Sequence, residues 1–115
     1  MFQLDSKKDE QAGALSHGEQ RRLEIAVTMA LRPKILLLDE PTQGMSQGDT
    51  HETSQLIADL GKSVTILLIE HDVELVMDLS KQVVVMAQGE KIAQGSPQKV
   101  RSNPIVQTAY FGDAV

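Results

Sequence analysis

Asp39 and Glu40 stand together at the end of an apolar run, ILLL at 35–38, with Pro41 directly behind them. Four consecutive apolar residues read as a strand buried on both faces, and the two acids emerge at its carboxyl end. In an open parallel sheet, that end is where ligands sit. Asp39 is suited to Mg2+, because hard cations take oxygen ligands and magnesium keeps several waters, which leaves room for an outer-sphere carboxylate. A structural reading competes with this one, since a strand followed by acids is also how an ordinary solvated turn begins. Two other stretches favour a site: LSHGEQ at 15–20 and IEH at 69–71. A helix opening at Gly18 offers unpaired backbone N–H groups and the positive end of its dipole to a phosphate. Ser16 adds a hydroxyl donor, and Gly18 lets the backbone approach closely. The plainer alternative is that Ser16 is a helix cap with Glu19 three residues on, a capping box contributing about 1 kcal/mol and no chemistry.

The elements that must position these residues alternate. Residues 1–14 are polar and without sustained period, a loop or frayed turn. Over 18–31 the apolar positions Leu23, Ala26, Val27, Ala30 and Leu31 fall on one predicted helical stripe, and Pro33 stops the helix. Arg21 and Arg22 are placed on its solvated face, and Arg101 is likewise read as solvated. A second helix is predicted over 46–60 with Thr53, Leu56, Ile57 and Leu60 inward and Gly61 as its stop. VTILLI at 64–69 is a second strand of the doubly covered kind. Helix 72–80 begins at a capping acid, Asp72, and turns Val73, Val76 and Met77 inward. Residues 82–87 and 91–94 suggest a hairpin through Gln88 and Gly89. Ser96 before Pro97 and Asn103 before Pro104 mark two short helix starts. The alternation argues an α/β fold with a mainly parallel sheet, flanking helices and right-handed crossovers, and it shows no internal domain boundary.

A chain of 115 residues can bury roughly two thirds of its unfolded surface, enough for one small domain or a piece of a larger one. A net charge of −5 argues against nucleic acid as partner. There is no cysteine, hence no disulfide framework or thiolate metal site. Aromatics are scarce, leaving Phe2, Tyr110 and Phe111 as the candidates for stacking. Neither a membrane span nor a signal peptide is legible, which leads to the expectation of a cytoplasmic location.

EQAGALSHGEQRRLEIA, then ILLLDEPTQGMS, then VTILLIEHD resemble, in order and spacing, the signature motif, Walker B strand, D-loop and H-loop of the ATP-binding cassette (ABC) ATPases. Together with the closing AYFG, they are similar to importer subunits for branched-chain amino acids or urea. Three ordered motifs are specific where a lone Asp-Glu pair would not be. The resemblance implies a P-loop NTPase-like fold, ATP and Mg2+ as cofactors, and a sandwich of two ATPase subunits. Ser16, His17, Gly18, Glu19 and Gln20 of one chain would then reach the nucleotide held by the other. It further implies Asp39 toward the metal, Glu40 as general base or water-positioning group, and His71 at the γ-phosphate. His17 stands where many members have glycine; it narrows the room there and could donate to phosphate. His51 keeps a surface reading. Gln43, Gly44, Met45 and Ser46 occupy the D-loop position, where an acid commonly stands last and Ser46 stands here. Permease subunits would hold the ATPase to the inner face of the membrane and drive solute import.

The resemblance also marks a gap. A full member carries a glycine-rich phosphate loop ending in Lys-Ser or Lys-Thr, an adenine-stacking aromatic and a glutamine loop ahead of the signature motif, and residues 1–14 supply none of them. The chain thus resembles the carboxyl-terminal half of such an ATPase, organised as 1–14 (loop or non-family start), 15–32 (signature and helix), 33–95 (Walker B to H-loop) and 96–115 (short helices). Alone it is expected to be inactive. Lacking the phosphate-loop strand, its sheet should be incomplete, with open edges closed by strand rearrangement or self-association. A non-catalytic oligomerising or interaction module with this fold is the alternative. A DNA-repair or chromosome-organising ATPase ranks low for want of heptads and basic surface.

Overall fold

A computed structural model describes residues 1–111, with side chains through Tyr110. The chain forms two compact units, residues 1–70 and 71–115. The expected stacking role of Phe111 and the last residue of AYFG lie outside the described residues.

In the first unit, short 3-10 turns at Asp5–Lys7 and Ala12–Ala14 lead into helix α1 (His17–Met29). Strand β1 (Ile35–Asp39), helix α2 (Gln47–Leu60) and strand β2 (Thr65–Ile69) follow. The two strands are parallel, Ile35 opposite Thr65 and Asp39 opposite Ile69, and α1 packs against α2. The core of this unit holds Ile25, Leu36, Leu38, Leu56, Ile57, Leu60 and Val64, with Thr53 and Pro41 fully enclosed. All four positions predicted inward on α2 are buried. Gly61 ends the helix as predicted, although with right-handed dihedrals rather than the left-handed stop glycine often supplies.

Three expectations are corrected in this unit. The buried stripe of α1 is Gly18, Arg22 and Ile25, whereas Val27 and Leu31 are exposed. Spacing of four and then three residues defines that face as well as the predicted one, and α2 selects it. Arg22, placed on a solvated face by its charge, is 2% exposed: its guanidinium is enclosed by acids from α2, Nη1 lying 3.5 Å from Asp49 and Nη2 3.2 Å from Glu52. Neither strand is covered on both faces. Leu36 and Leu38 are buried, but Ile35, Leu37, Leu67 and Ile69 are 54–69% exposed on the opposite face. A run of apolar residues specifies how many faces a parallel sheet needs covered, not whether this stretch of chain supplies the cover.

In the second unit, helix α3 (Val73–Leu79) is capped by Asp72, whose carboxylate accepts from the Leu75 N–H. Strands β3 (Val83–Ala87) and β4 (Glu90–Gly95) pair antiparallel through a turn with left-handed Gln88 and Gly89. Helices α4 (Pro97–Arg101) and α5 (Pro104–Val106) begin where predicted, on Ser96 and Asn103 side chains that accept from Lys99 N and Ile105 N. Val83, Val85, Val100 and Val106 form the core of this unit, with Val76, Met77, Ile92 and Ala93 packed against it. On α3, Leu75 is the buried residue, and the predicted Val76 and Met77 are half-buried and pack against that core. Arg101 is exposed as expected and pairs with Glu74 at 3.1 Å.

Among the described residues, β2 pairs only with β1, and β3 only with β4. The open strand edges expected from the sequence are therefore present. Rearrangement within the chain does not close them.

Candidate functional site

Asp39 ends β1 beside Ile69, the last residue of β2, so the carboxyl ends of both strands share one rim. Asp39 is exposed and lies on the uncovered face, in line with Ile35 and Leu37. Glu40 is half-buried and takes a left-handed backbone, φ 47°. A non-glycine residue there costs on the order of 1 kcal/mol or more and persists only where its surroundings enforce it. The enforcement is visible. Glu40 N–H donates to the Ile69 carbonyl at 2.7 Å, its own carbonyl accepts from Gln43 N–H, and Pro41 behind it is fully enclosed. Thr42 then donates twice to the Glu70 carboxylate, from its backbone N–H at 3.2 Å and from its hydroxyl at 3.0 Å. Glu70 thereby fastens the turn that carries Asp39 and Glu40 to the end of β2. Sequence reasoning assigned no role to Thr42 or Glu70; an acid directly before His71 was the available signal. His71 follows Glu70 in the chain, opens the second unit and is exposed.

The tip of α1 is built from its own side chains. Ser16 Oγ accepts from the Glu19 N–H, and Glu19 Oε1 accepts from the Ser16 N–H at 2.9 Å, a complete capping box. The hydrogen bond from the Ser16 backbone holds the Glu19 carboxyl below its ordinary value. Gln20 folds back to the carbonyls of Ala12 and Leu15. A Cβ on Gly18 would stand 2.4 Å from Cγ of Asp49, so this glycine is dictated by the close approach of α2. His17 Nε2 lies 3.0 Å from the Gln43 carbonyl.

Residues 43–46 form a tight turn ahead of α2, with Gly44 at φ 77° and Met45 N–H bonded to the Thr42 carbonyl. Ser46 is the cap of α2, its hydroxyl accepting from Asp49 N–H. The serine that departs from the D-loop pattern thus has a local structural reason. His51 is exposed on α2, and Lys62 and Ser63 follow the carboxyl end of that helix, where carbonyls rather than N–H groups point outward.

Among the described residues no group of three or more His, Cys, Asp or Glu could hold a metal ion by itself. A single carboxylate, Asp39, fits the kind of site in which magnesium is held mainly by phosphates and water. Among the described residues no helix is long and apolar enough to cross a membrane.

Two family models match the sequence: ABC transporter over residues 1–43, and branched-chain amino acid ATP-binding cassette transporter over residues 90–115. The first match takes in the opening residues as well as LSHGEQ at 15–20. The chain is 50% identical over 105 residues to the high-affinity branched-chain amino acid transport ATP-binding protein BraF of Pseudomonas aeruginosa, covering 90% of this chain and 41% of that one. It is 49% identical over 106 residues to the corresponding protein LivG of Escherichia coli K12, covering 90% and 42%. Among solved structures, the ADP conformation of MJ1267, an ATP-binding cassette of an ABC transporter, matches with a TM-score of 0.83 at 32% identity, over 97% of this chain and 46% of that one. The chain spans less than half the length of these relatives. In sequence and in fold, the chain matches the ATP-binding cassettes of ABC transporters over its first 43 residues and along most of its length, and its end matches the branched-chain amino acid model.

Proposed function

We propose that these 115 residues supply the hydrolytic carboxylate and the signature helix of an ATP-driven importer subunit for branched-chain amino acids or urea. The observation that carries this reading is the turn at Asp39 and Glu40, held left-handed at the rim of two parallel strands by Ile69 and Glu70. In it, Glu40 would orient the attacking water and accept its proton, and Asp39 would hold the Mg2+ that accompanies the nucleotide; His71, which opens the second unit, would by the family resemblance stabilise charge at the γ-phosphate. When bound, Mg-ATP supplies the phosphoryl group and the cation that offsets its charge. The α1 tip, with Ser16, His17, Gly18, Glu19 and Gln20, addresses nucleotide held by a second ATPase subunit, and the 43–46 turn lies at that interface. Permease subunits place the assembly on the inner face of the membrane.

The test is a chimaera in which this chain replaces the matching stretch of BraF. Glu40→Gln there is expected to lower Mg-ATP turnover by about a hundredfold or more, the scale of a lost general base, while the 115 residues alone show no turnover. Equal turnover with Gln at position 40 would overturn the assignment. A second reading, a non-catalytic association module, is favoured by one observation, the exposed Ile35, Leu37, Leu67 and Ile69 face.

A further inference from the structure

The signature turn and the 43–46 turn are separated by more than twenty residues, yet one imidazole spans them. His17, the first residue of α1, sets Nε2 3.0 Å from the carbonyl oxygen of Gln43. A carbonyl can only accept, so the proton resides on Nε2, and both the neutral Nε2–H form and the imidazolium can make this bond. The ring also lies over the left-handed Gly44: a Cβ built on that residue would stand 3.8 Å from Nε2. Other contacts fix the same turn from different sides. Thr53 of α2 donates to Met45 Sδ at 3.5 Å, and Thr42 is fastened to Glu70. Without His17 the turn keeps its ties to α2 and β2 and loses its tie to α1.

We infer that His17 is a positioning residue that clasps the 43–46 turn to the first turn of α1, so that the two loops move as one body. This role differs from phosphate donation through Nε2, whose proton is already committed to Gln43; only Nδ1 remains to face a ligand. A glycine at this position has no side chain to make the bond, so the clasp is a property that histidine adds. The inference rests on the proposed function only in naming these loops nucleotide-facing; the contact itself involves no nucleotide.

The experiment uses the 115-residue chain without ligand. Long-range 1H–15N correlation of the imidazole in the unaltered chain is expected to show the Nε2–H tautomer at neutral pH, and a ring protonated on Nδ1 alone overturns the proposal. His17→Ala should speed hydrogen exchange at the Gln43 and Met45 amides by up to about tenfold, the worth of one exposed hydrogen bond, while amides of α2 beyond Thr53 stay unchanged. His17→Gln places an N–H near the position of Nε2 and should restore the slow exchange; His17→Asn places it near Nδ1 and should not. Equal exchange in the Ala, Gln and Asn variants would overturn the clasp. Should His17→Ala fail to fold, the tautomer and the Gln-against-Asn contrast still decide. The Glu40→Gln outcome in the chimaera is independent of all these readouts.

Discussion

At the scale of single residues, the chemistry-bearing side chains are also the ones that shape the backbone. Ser16 and Glu19 close a reciprocal capping box at the start of α1. Because the Ser16 N–H stabilises the ionised Glu19, its folded pKa lies below the unfolded value near 4.5. The sign follows from linkage: the contribution is present above the unfolded value and is lost as pH falls through the folded one. Glu74 behaves alike, lowered first by its hydrogen bonds from Arg101 and then by that cation's charge. The thermal midpoint is therefore expected to be flat from pH 7 to about 5 and to fall below about 4.5, with a shallower fall in Glu19→Gln. A midpoint that rises on acidification, or an acid limb identical in Glu19→Gln, would refute this account of the capping box.

At the scale of elements, α1 and α2 meet where glycine removes a side chain and arginine inserts one. Gly18 admits Asp49, and Asp49 in turn faces Arg22, which carries an Nη1 without a hydrogen bond although it is ion-paired. Gly18→Ala should displace the Asp49 carboxylate and lower stability by about 1–3 kcal/mol, the range for overpacking. That loss exceeds the gain of up to about 1 kcal/mol that alanine brings to a helix. In an Asp49→Ala background the obstacle is gone, and the same change should be neutral or stabilising. Denaturant unfolding of the four proteins measures the coupling, and additive losses would show that the contact does not govern this packing. What the sequence made legible follows from the same logic. Caps, the hairpin turn and the inward face of α2 depend on local chemistry, and Ser16, Asp72, Ser96, Asn103, Gln88 and Gly89 each announced an element correctly. The burial of Arg22 and the phase of α1 depend on which acids a distant helix presents, and no period within α1 encodes Asp49 and Glu52. Likewise Asp39 and Glu40 were legible as a pair at a strand end, whereas the Thr42 and Glu70 bonds that hold them required knowing that β1 and β2 are neighbours.

At the scale of the whole molecule, the first unit exposes both a sheet edge and a sheet face. Ile35, Leu37, Leu67 and Ile69 retain more than half their accessible surface, and β2 pairs on one side only. Covering four half-exposed aliphatic side chains is worth about 1 kcal/mol each, so two copies meeting face to face would gain about 8 kcal/mol. Association costs roughly 4–15 kcal/mol, so the face alone gives contacts that are weak and strongly dependent on concentration. Pairing along the free edge of β2 adds backbone hydrogen bonds that would otherwise go to water, and this edge-to-edge mode is the hazard of open strands. The chain alone is therefore expected to self-associate progressively with concentration, measured by size-exclusion chromatography with light scattering. Leu37→Lys together with Leu67→Lys should shift it toward monomer without loss of helicity, because both side chains point away from the core formed by Leu36 and Leu38. A monomer that persists to millimolar concentration, or an oligomer indifferent to the two lysines, would mean that neither this face nor this edge is what the molecule presents to its copies.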